Sequence, residues 1–264
     1  MATEPPKIRL FVDDPLGDGA SFPLTPEQSH YASNVMRLAA GDHVAVFNGS
    51  DGEWDAEITS SDRRRCVVRL DGRLRAQSSG PDVWLMFAPV KRGRIDFVAA
   101  KATELGASAL WPVVSEHTVV RRVNAGRLRA NAVEAAEQCG RLDIPDIQPL
   151  AELDSALADW PVERRLLVCD PTPGTLPIDQ VLAQSEFSDG GPWAILTGPE
   201  GGFTNSELDG FGILPFVSRA GLGPRTLRAE TAGLAALACW QAMLGDWRDG
   251  AAASGKGPGT TVQA

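Results

Sequence analysis

Two stretches of the chain have the residue types and spacing of a ligand site. The first is Ile195-Leu196-Thr197-Gly198-Pro199-Glu200-Gly201-Gly202-Phe203-Thr204-Asn205-Ser206-Glu207, an apolar run, a Gly/Pro loop and a helix start capped by Thr204 or Asn205. The second runs from Val217 through Gly221-Leu222-Gly223-Pro224-Arg225-Thr226-Leu227-Arg228 to Ala232 and repeats the order strand, glycine loop, helix. Glycines at the C-terminal edge of a strand let a ligand approach bare backbone amides and carbonyls, and open α/β sheets bind ligands at that edge. The three glycines and one proline of the first loop exceed what a tight β–α turn needs. Gly221-x-Gly223 is not a dinucleotide fingerprint, because Thr226 stands at the third glycine position. Neither loop ends in the Gly-Lys-Ser/Thr of a nucleoside triphosphatase, and no Gly-x-Ser-x-Gly elbow is present.

The rest of the composition narrows the chemistry. Cys66, Cys139, Cys169 and Cys239 are far apart without a Cys-x-x-Cys pair, and His30, His43 and His117 show no ligand spacing, so neither a disulfide framework nor a metal site is expected. The net charge of −9 argues against indiscriminate nucleic-acid binding. Two basic clusters stand out in this acidic chain: residues 61–75 hold six arginines against two aspartates, and residues 119–129 hold four arginines and no acid. They point to a phosphate-facing surface. The N-terminus MATEPPKIRL has no apolar signal region, and no apolar run is long enough to span a bilayer, so a cytoplasmic protein is expected.

These residues need elements to position them. Thr25-Pro26-Glu27-Gln28 reads as a helix start that runs to about Leu38. The alternating segments His43–Asn48, Glu53–Ser60 and Cys66–Leu70 read as an antiparallel meander, and with one helix they suggest a small barrel over residues 1–76. The polar segment 76–82 is the domain boundary. Beyond it, strands at Val83–Ala88, Ala109–Val114, Leu166–Cys169, Trp193–Thr197 and Ile213–Val217 alternate with helices at Ile95–Leu105, Leu128–Cys139 and Leu227–Trp247. That rhythm over 77–249 predicts an α/β domain with a mainly parallel sheet, followed by a low-complexity tail at 250–264.

The pair TGPEGGFTNSE and LGPRTLRAETA resembles the C-terminal motifs of the SPOUT class of methyltransferases, and most closely the ribosomal RNA small-subunit methyltransferase E family. HYASNVMRLAAGDHVAVFNGSDGEWDAEI resembles that family's PUA-like N-terminal domain, and KRGRIDFVAAKATELGASALWPVVSEHTVV and AVEAAEQCGRLDIPDI resemble its central motifs. Ala229 is a departure, standing where many members carry threonine. The resemblance implies a C-terminal trefoil knot in which the segments carrying 196–202 and 218–228 pass around each other and hold S-adenosylmethionine. It also implies a homodimer that methylates N3 of a specific uridine in 16S ribosomal RNA. The cofactor contacts so implied are Leu196, Thr197, Gly198, Pro199, Glu200, Gly201, Gly202, Leu222, Gly223 and Leu227.

A methyl sulfonium needs no metal, so the site has to position the donor in line and favour the uracil N3 anion. Arg225 and Arg228 are the electrostatic candidates, and Glu230 and Glu200 are possible proton acceptors. RNA-facing candidates are Arg37, Arg63, Arg64 and Arg65 in the N-terminal part and Lys91, Arg92, Arg94, Arg121 and Arg122 beyond it. Two other readings stay open: a non-catalytic RNA-binding or ribosome-assembly factor, and a knotted methyltransferase acting on transfer RNA or on a ribose hydroxyl.

Overall fold

A computed structural model describes residues 6, 8–62, 65–184 and 190–249. The described residues divide into two compact units: those up to 79 with 136–143, and those of 80–135 with 144–249.

The first unit contains β1 (Arg9–Phe11), β2 (Ser21–Pro23), α1 (Pro26–His30), β3 (His43–Phe47), β4 (Glu53–Asp62) and β5 (Arg65–Arg75). Their sheet order is β1-β3-β4-β5-β2, antiparallel except for β1 beside β3. The meander expected at β3–β5 is present, and both edge strands feed one core, Leu10 from β1 and Phe22 from β2 packing with Val44, Val46, Ile58 and Val68. Thr25 caps α1 reciprocally with Gln28. The single helix expected to Leu38 is broken: a π turn spans Tyr31–Val35, and Arg37 takes a left-handed φ of 58°. A left-handed residue cannot continue a right-handed helix.

Glu53 is the buried charge of this unit. Its carboxylate accepts from Arg9 Nε at 2.5 Å and from Arg75 Nε at 2.6 Å. Burial alone would push the Glu53 carboxyl up, but the bonds from Arg75 and Arg9 outweigh it and hold it below the usual carboxylate range.

The second unit is a parallel α/β layer. It comprises β6 (Val83–Phe87), α2 (Arg92–Glu104), β7 (Ala109–Val114), α3 (Ala125–Cys139, whose end belongs to the first unit), β8 (Asp146–Ile147), β9 (Ala151–Glu152), α4 (Leu153–Ala158), β10 (Arg165–Cys169), α5 (Ile178–Ala183), β11 (Trp193–Thr197), α6 (Asn205–Gly212), β12 (Val217–Ala220) and α7 (Ala229–Met243). The strand order is β12-β10-β11-β6-β7-β8, every pairing parallel, with β9 beside the end of β7. Parallel neighbours need crossovers, and helices supply them on both faces. The strands therefore split residue by residue between two cores. Leu85, Leu167 and Ile195 pack toward α2, α5 and α7, whereas Met86, Val168 and Leu196 pack toward α4 and α6. No helix among the described residues is long and apolar enough to cross a membrane.

Two expected elements move. The apolar run Ile213–Val217 is not the last strand: Ile213 caps α6 and is 82 % exposed, and the strand begins at Val217. Its continuation through Ser218 and Arg219 was hidden because Arg219 is charged, yet its guanidinium is paired with Asp170. The final helix starts at Ala229 rather than Leu227, since Arg228 is its extended N-cap (ψ 153°), and it ends at Met243. Short elements at β1, β2, β8, β9, α4 and α5 had no expectation attached.

Because the folded Glu53 value lies below the unfolded value of about 4.3, its contribution is fully present above that value and is lost as pH falls through the lower folded one. Glu53→Ala leaves two arginine heads without their carboxylate and should cost about 3–5 kcal/mol in urea denaturation at neutral pH. The gap to the parent chain should narrow as pH falls below about 4. A loss under roughly 1 kcal/mol at pH 7 would place the support of this unit elsewhere.

Candidate active site

The C-terminal ends of β10, β11 and β12 lie side by side in the sheet, and the segments that leave them converge. They enclose a cleft of about 620 Å³, a size typical of small-molecule sites of roughly 300–1,000 Å³. Its walls are Cys169–Thr172 after β10, Thr197–Phe203 after β11, and Leu222, Gly223 and Arg225–Ala229 after β12, with Leu208 and Ala232.

The first wall is pinned by Asp170, which is 2 % exposed. One carboxylate oxygen accepts from the Thr172 amide at 2.9 Å and the Thr172 hydroxyl at 2.6 Å. The other accepts from Arg219 Nε at 2.7 Å and from the Thr175 hydroxyl at 3.2 Å. Burial raises the Asp170 carboxyl, but Thr172 and Arg219 together pull it below its ordinary range, so it stays charged. The same region ties the third wall, since the Gly221 amide donates to Leu176 O at 2.8 Å and the Ile178 amide to Gly221 O at 3.1 Å.

The second wall ends in a helix cap. Thr204 accepts from the Glu207 amide while Glu207 Oε2 accepts from the Thr204 amide at 2.8 Å, and Glu207 Oε1 also accepts from the Glu116 amide at 2.9 Å. His117 Nδ1 lies 3.2 Å and 3.1 Å from the carbonyls of Gly201 and Gly202. Both neighbours are acceptors, so Nδ1 donates. A side chain at Gly201 would place its Cβ 3.2 Å from the His117 Cβ. Gly223 has φ +97°, which L residues rarely adopt, and an added Cβ there meets no protein atom within 4 Å. The wall at Gly223 is thus bare backbone beside open space, as a closely held ligand requires.

The lining fits a ligand with an apolar body and polar edges: Phe203, Leu208, Leu222 and Leu227 beside Thr197, Glu200 and backbone groups. Cys169 lines it too, but burial first, then Cys239 and Asp170, push its thiol up to about 12, so it supplies no thiolate near neutral pH. Among the described residues no group of three or more His, Cys, Asp or Glu could hold a metal ion.

Most of the residues expected here come together. Thr197, Gly198, Pro199, Glu200, Gly201, Gly202, Leu222, Gly223 and Leu227 line the cleft, and Arg225 and Arg228 stand exposed on its wall. Leu196 does not: it is 0 % exposed and belongs to the core on the α4–α6 face. Glu230 does not line the cleft either. It turns toward α2, where its Oε1 lies 3.4 Å from Arg94 Nε. Of the basic candidates, Lys91 is exposed at the N-cap of α2, Arg122 is exposed, and Arg121 pairs with Glu152 at 3.4 Å. Arg37 and Arg65 are exposed in the first unit. Arg63, Arg64 and the side chain of Arg92 lie outside the described residues. Sequence reasoning missed Asp170, Thr172, Phe203 and His117. The apolar run ending in Cys169-Asp170 was a signal for the first, since it is a third buried strand with a polar residue at its C-terminal edge.

Comparison with known proteins agrees with this geometry. The RNA methyltransferase domain family matches residues 77–241, and the RNA methyltransferase PUA domain family matches residues 24–71. The ribosomal RNA small subunit methyltransferase E of Synechocystis sp. is 31% identical over 229 residues, covering 85% of this chain and 74% of that one. The protein of the same name from Rickettsia conorii is 29% identical over 231 residues, covering 87% and 93%. The crystal structure of the Neisseria gonorrhoeae enzyme of that name, bound to S-adenosyl methionine, superposes with a TM-score of 0.81 at 27% identity over 91% of this chain and 99% of that one. Matched by the RNA methyltransferase domain family over residues 77–241 and 31% identical to the Synechocystis protein, this chain belongs to the ribosomal RNA small subunit methyltransferase E family of RNA methyltransferases.

Proposed function

We propose that the chain uses S-adenosylmethionine to methylate N3 of a uridine in 16S ribosomal RNA, as a cytoplasmic homodimer. The observation that carries this reading is the cleft: three strand ends supply a glycine-walled pocket for the cofactor, and two unburied arginines stand on the same wall. S-adenosylmethionine, when bound, supplies an electrophilic methyl group on a cationic sulfur. The trefoil knot expected from the resemblance would be formed by the segments carrying 196–202 and 218–228, which leave β11 and β12.

The chain's own residues have three tasks. Bare backbone at Gly198, Gly201, Gly202 and Gly223, with Leu222 and Leu227, seats the donor. Arg225 and Arg228 face the developing charge on uracil; neither can act as a base, because guanidinium stays protonated. The N3 proton needs an acceptor. Of the two candidates Glu200 lines the cleft and Glu230 does not, which favours Glu200 over Glu230 as the acceptor. On this reading Glu200 would take the N3 proton, and the nitrogen pair so freed would bond the methyl group that S-adenosylmethionine would supply, the S–CH₃ pair staying with sulfur.

Residues 1–76 would anchor distal RNA through Arg37 and Arg63–Arg65, while 77–249 carries the transfer. Lys91 and Arg122 are free to contact phosphate near the target. For the homodimer, α7 buries Gly233, Ala236, Leu237 and Trp240 in its own unit, Leu234 and Met243 pack against that core while staying half-buried, and the 49 % exposed Trp247 beyond the helix adds apolar surface for a two-fold contact.

Nucleoside analysis by mass spectrometry of 16S RNA incubated with the protein and cofactor should reveal 3-methyluridine. Arg228→Ala should cut turnover by about 100-fold while changing cofactor affinity less than about threefold, because its charge acts mainly as the anion forms. Wild-type turnover by that variant removes Arg228 from the mechanism, and methyl on a ribose hydroxyl overturns the N3 reading. Light scattering at micromolar concentration should give a dimer; a fully active monomer refutes the interface.

A further inference from the structure

Arg94 differs from every other basic candidate near the cleft. It occupies the first turn of α2, with Nε 3.4 Å from Glu230 Oε1 and Nη1 3.5 Å from Glu200 Oε1. Its single positive charge is therefore outnumbered by two carboxylates, and within this trio Arg94 is committed to them rather than to phosphate. Arg121, by contrast, shares one carboxylate, and both partners of that pair are more than half exposed. Such a pair has the weak, screened character of an ordinary surface contact.

The three side chains grade from inside to outside: Glu230 is 12 % exposed, Arg94 37 % and Glu200 47 %. Glu230 Oε2 is buried without a hydrogen-bond partner, against a void of only about 10 Å³ walled by Leu85, Phe87, Val90, Val98 and Gly233. That space holds at most one water. Glu230 is thus fixed by packing, and Arg94 is the cation it meets. Glu200, on the cleft loop, is the most exposed end of the chain of contacts. Both ion pairs are longer than the 2.7–2.9 Å of a good charge-assisted bond, as is common before a substrate complex forms.

We propose that Arg94 is a positioning residue for methyl transfer: anchored on Glu230, it holds the Glu200 carboxylate at the cleft wall to receive the uracil N3 proton. This rests on the reading of Glu200 as proton acceptor. It needs an arginine, because two different nitrogens of one planar head meet the two carboxylates, and a lysine offers a single point charge.

The test is steady-state kinetics of the full chain with 16S RNA and S-adenosylmethionine, for Arg94→Gln, Arg94→Lys, Glu230→Gln, Glu200→Gln and the double variant Arg94→Gln/Glu230→Gln. Arg94→Gln should lower kcat about tenfold with the KM for RNA within about twofold, and Arg94→Lys should recover part of that loss. The double variant should be no slower than the slower single one, since both break one contact chain. A raised KM for RNA with a flatter salt dependence and unchanged kcat would make Arg94 a phosphate contact and overturn the proposal. Multiplying losses in the double variant overturn it as well. If Arg94→Gln does not fold, Arg94→Lys decides, and wild-type kcat there counts against the proposal. Slow Glu200→Gln beside fast Arg94→Gln refutes the positioning role alone, whereas fast Glu200→Gln refutes the proton-acceptor reading beneath it.

Discussion

A carboxylate buried at the end of a strand must find partners or lose its charge, and Asp170 finds them in the segment after β10 and in β12. Thr172 and Thr175 bring the chain after β10 back onto it, and Arg219 ties it to β12. The parallel register places Cys169 beside Ala220 and Val168 beside Leu196, so the last residues of three strands end in one small region. With those ends fixed, the loops leaving them have little freedom in where they go. The cleft is then a consequence of sheet order plus one satisfied buried charge, and no catalytic group has to build it.

Shape and charge are divided between different residues. The glycines and the apolar lining of the cleft give shape and supply little electrostatics. Charge sits at the margins: Arg225 and Arg228 on one wall, Glu200 on another, and behind them Arg94 and Glu230. This separation suits methyl transfer from a cationic donor, where seating the donor and favouring an anionic acceptor are distinct tasks. Buried Cys169, with its raised thiol, shows that a potentially nucleophilic side chain in the lining is kept neutral.

How much of this was legible in the sequence follows from what each signal physically is. Strands buried on both faces leave unbroken apolar runs, so β6, β7, β10 and β11 could be placed within a residue or two. The last strand could not, because Arg219 breaks the apolar pattern and only its tertiary partner Asp170 makes it compatible with the sheet. Arg37's left-handed backbone, and with it the end of the first helix, has no side-chain signature. Both glycine loops were readable since glycine is itself the conformational signal. Which carboxylate faces the cleft was not readable: Glu200 and Glu230 look equivalent as residue types, and they are told apart only by the packing of α2 against the opening of α7. His117 was passed over because a lone histidine carries no spacing, and its role depends on two carbonyls more than eighty residues away.

If the charge at Asp170 holds the cleft in its binding geometry, neutralising it has to weaken cofactor binding. Calorimetric titration of S-adenosylmethionine into the Asp170→Asn chain tests it most directly, with circular dichroism to establish that the variant is folded. An amide still satisfies some of the threonine bonds but gives up the charged pair with Arg219 and its two nitrogens. Cofactor binding should be at least about tenfold weaker than in the parent chain, because the walls are no longer held in their binding geometry. A folded variant that binds the cofactor with the parent's affinity would contradict it.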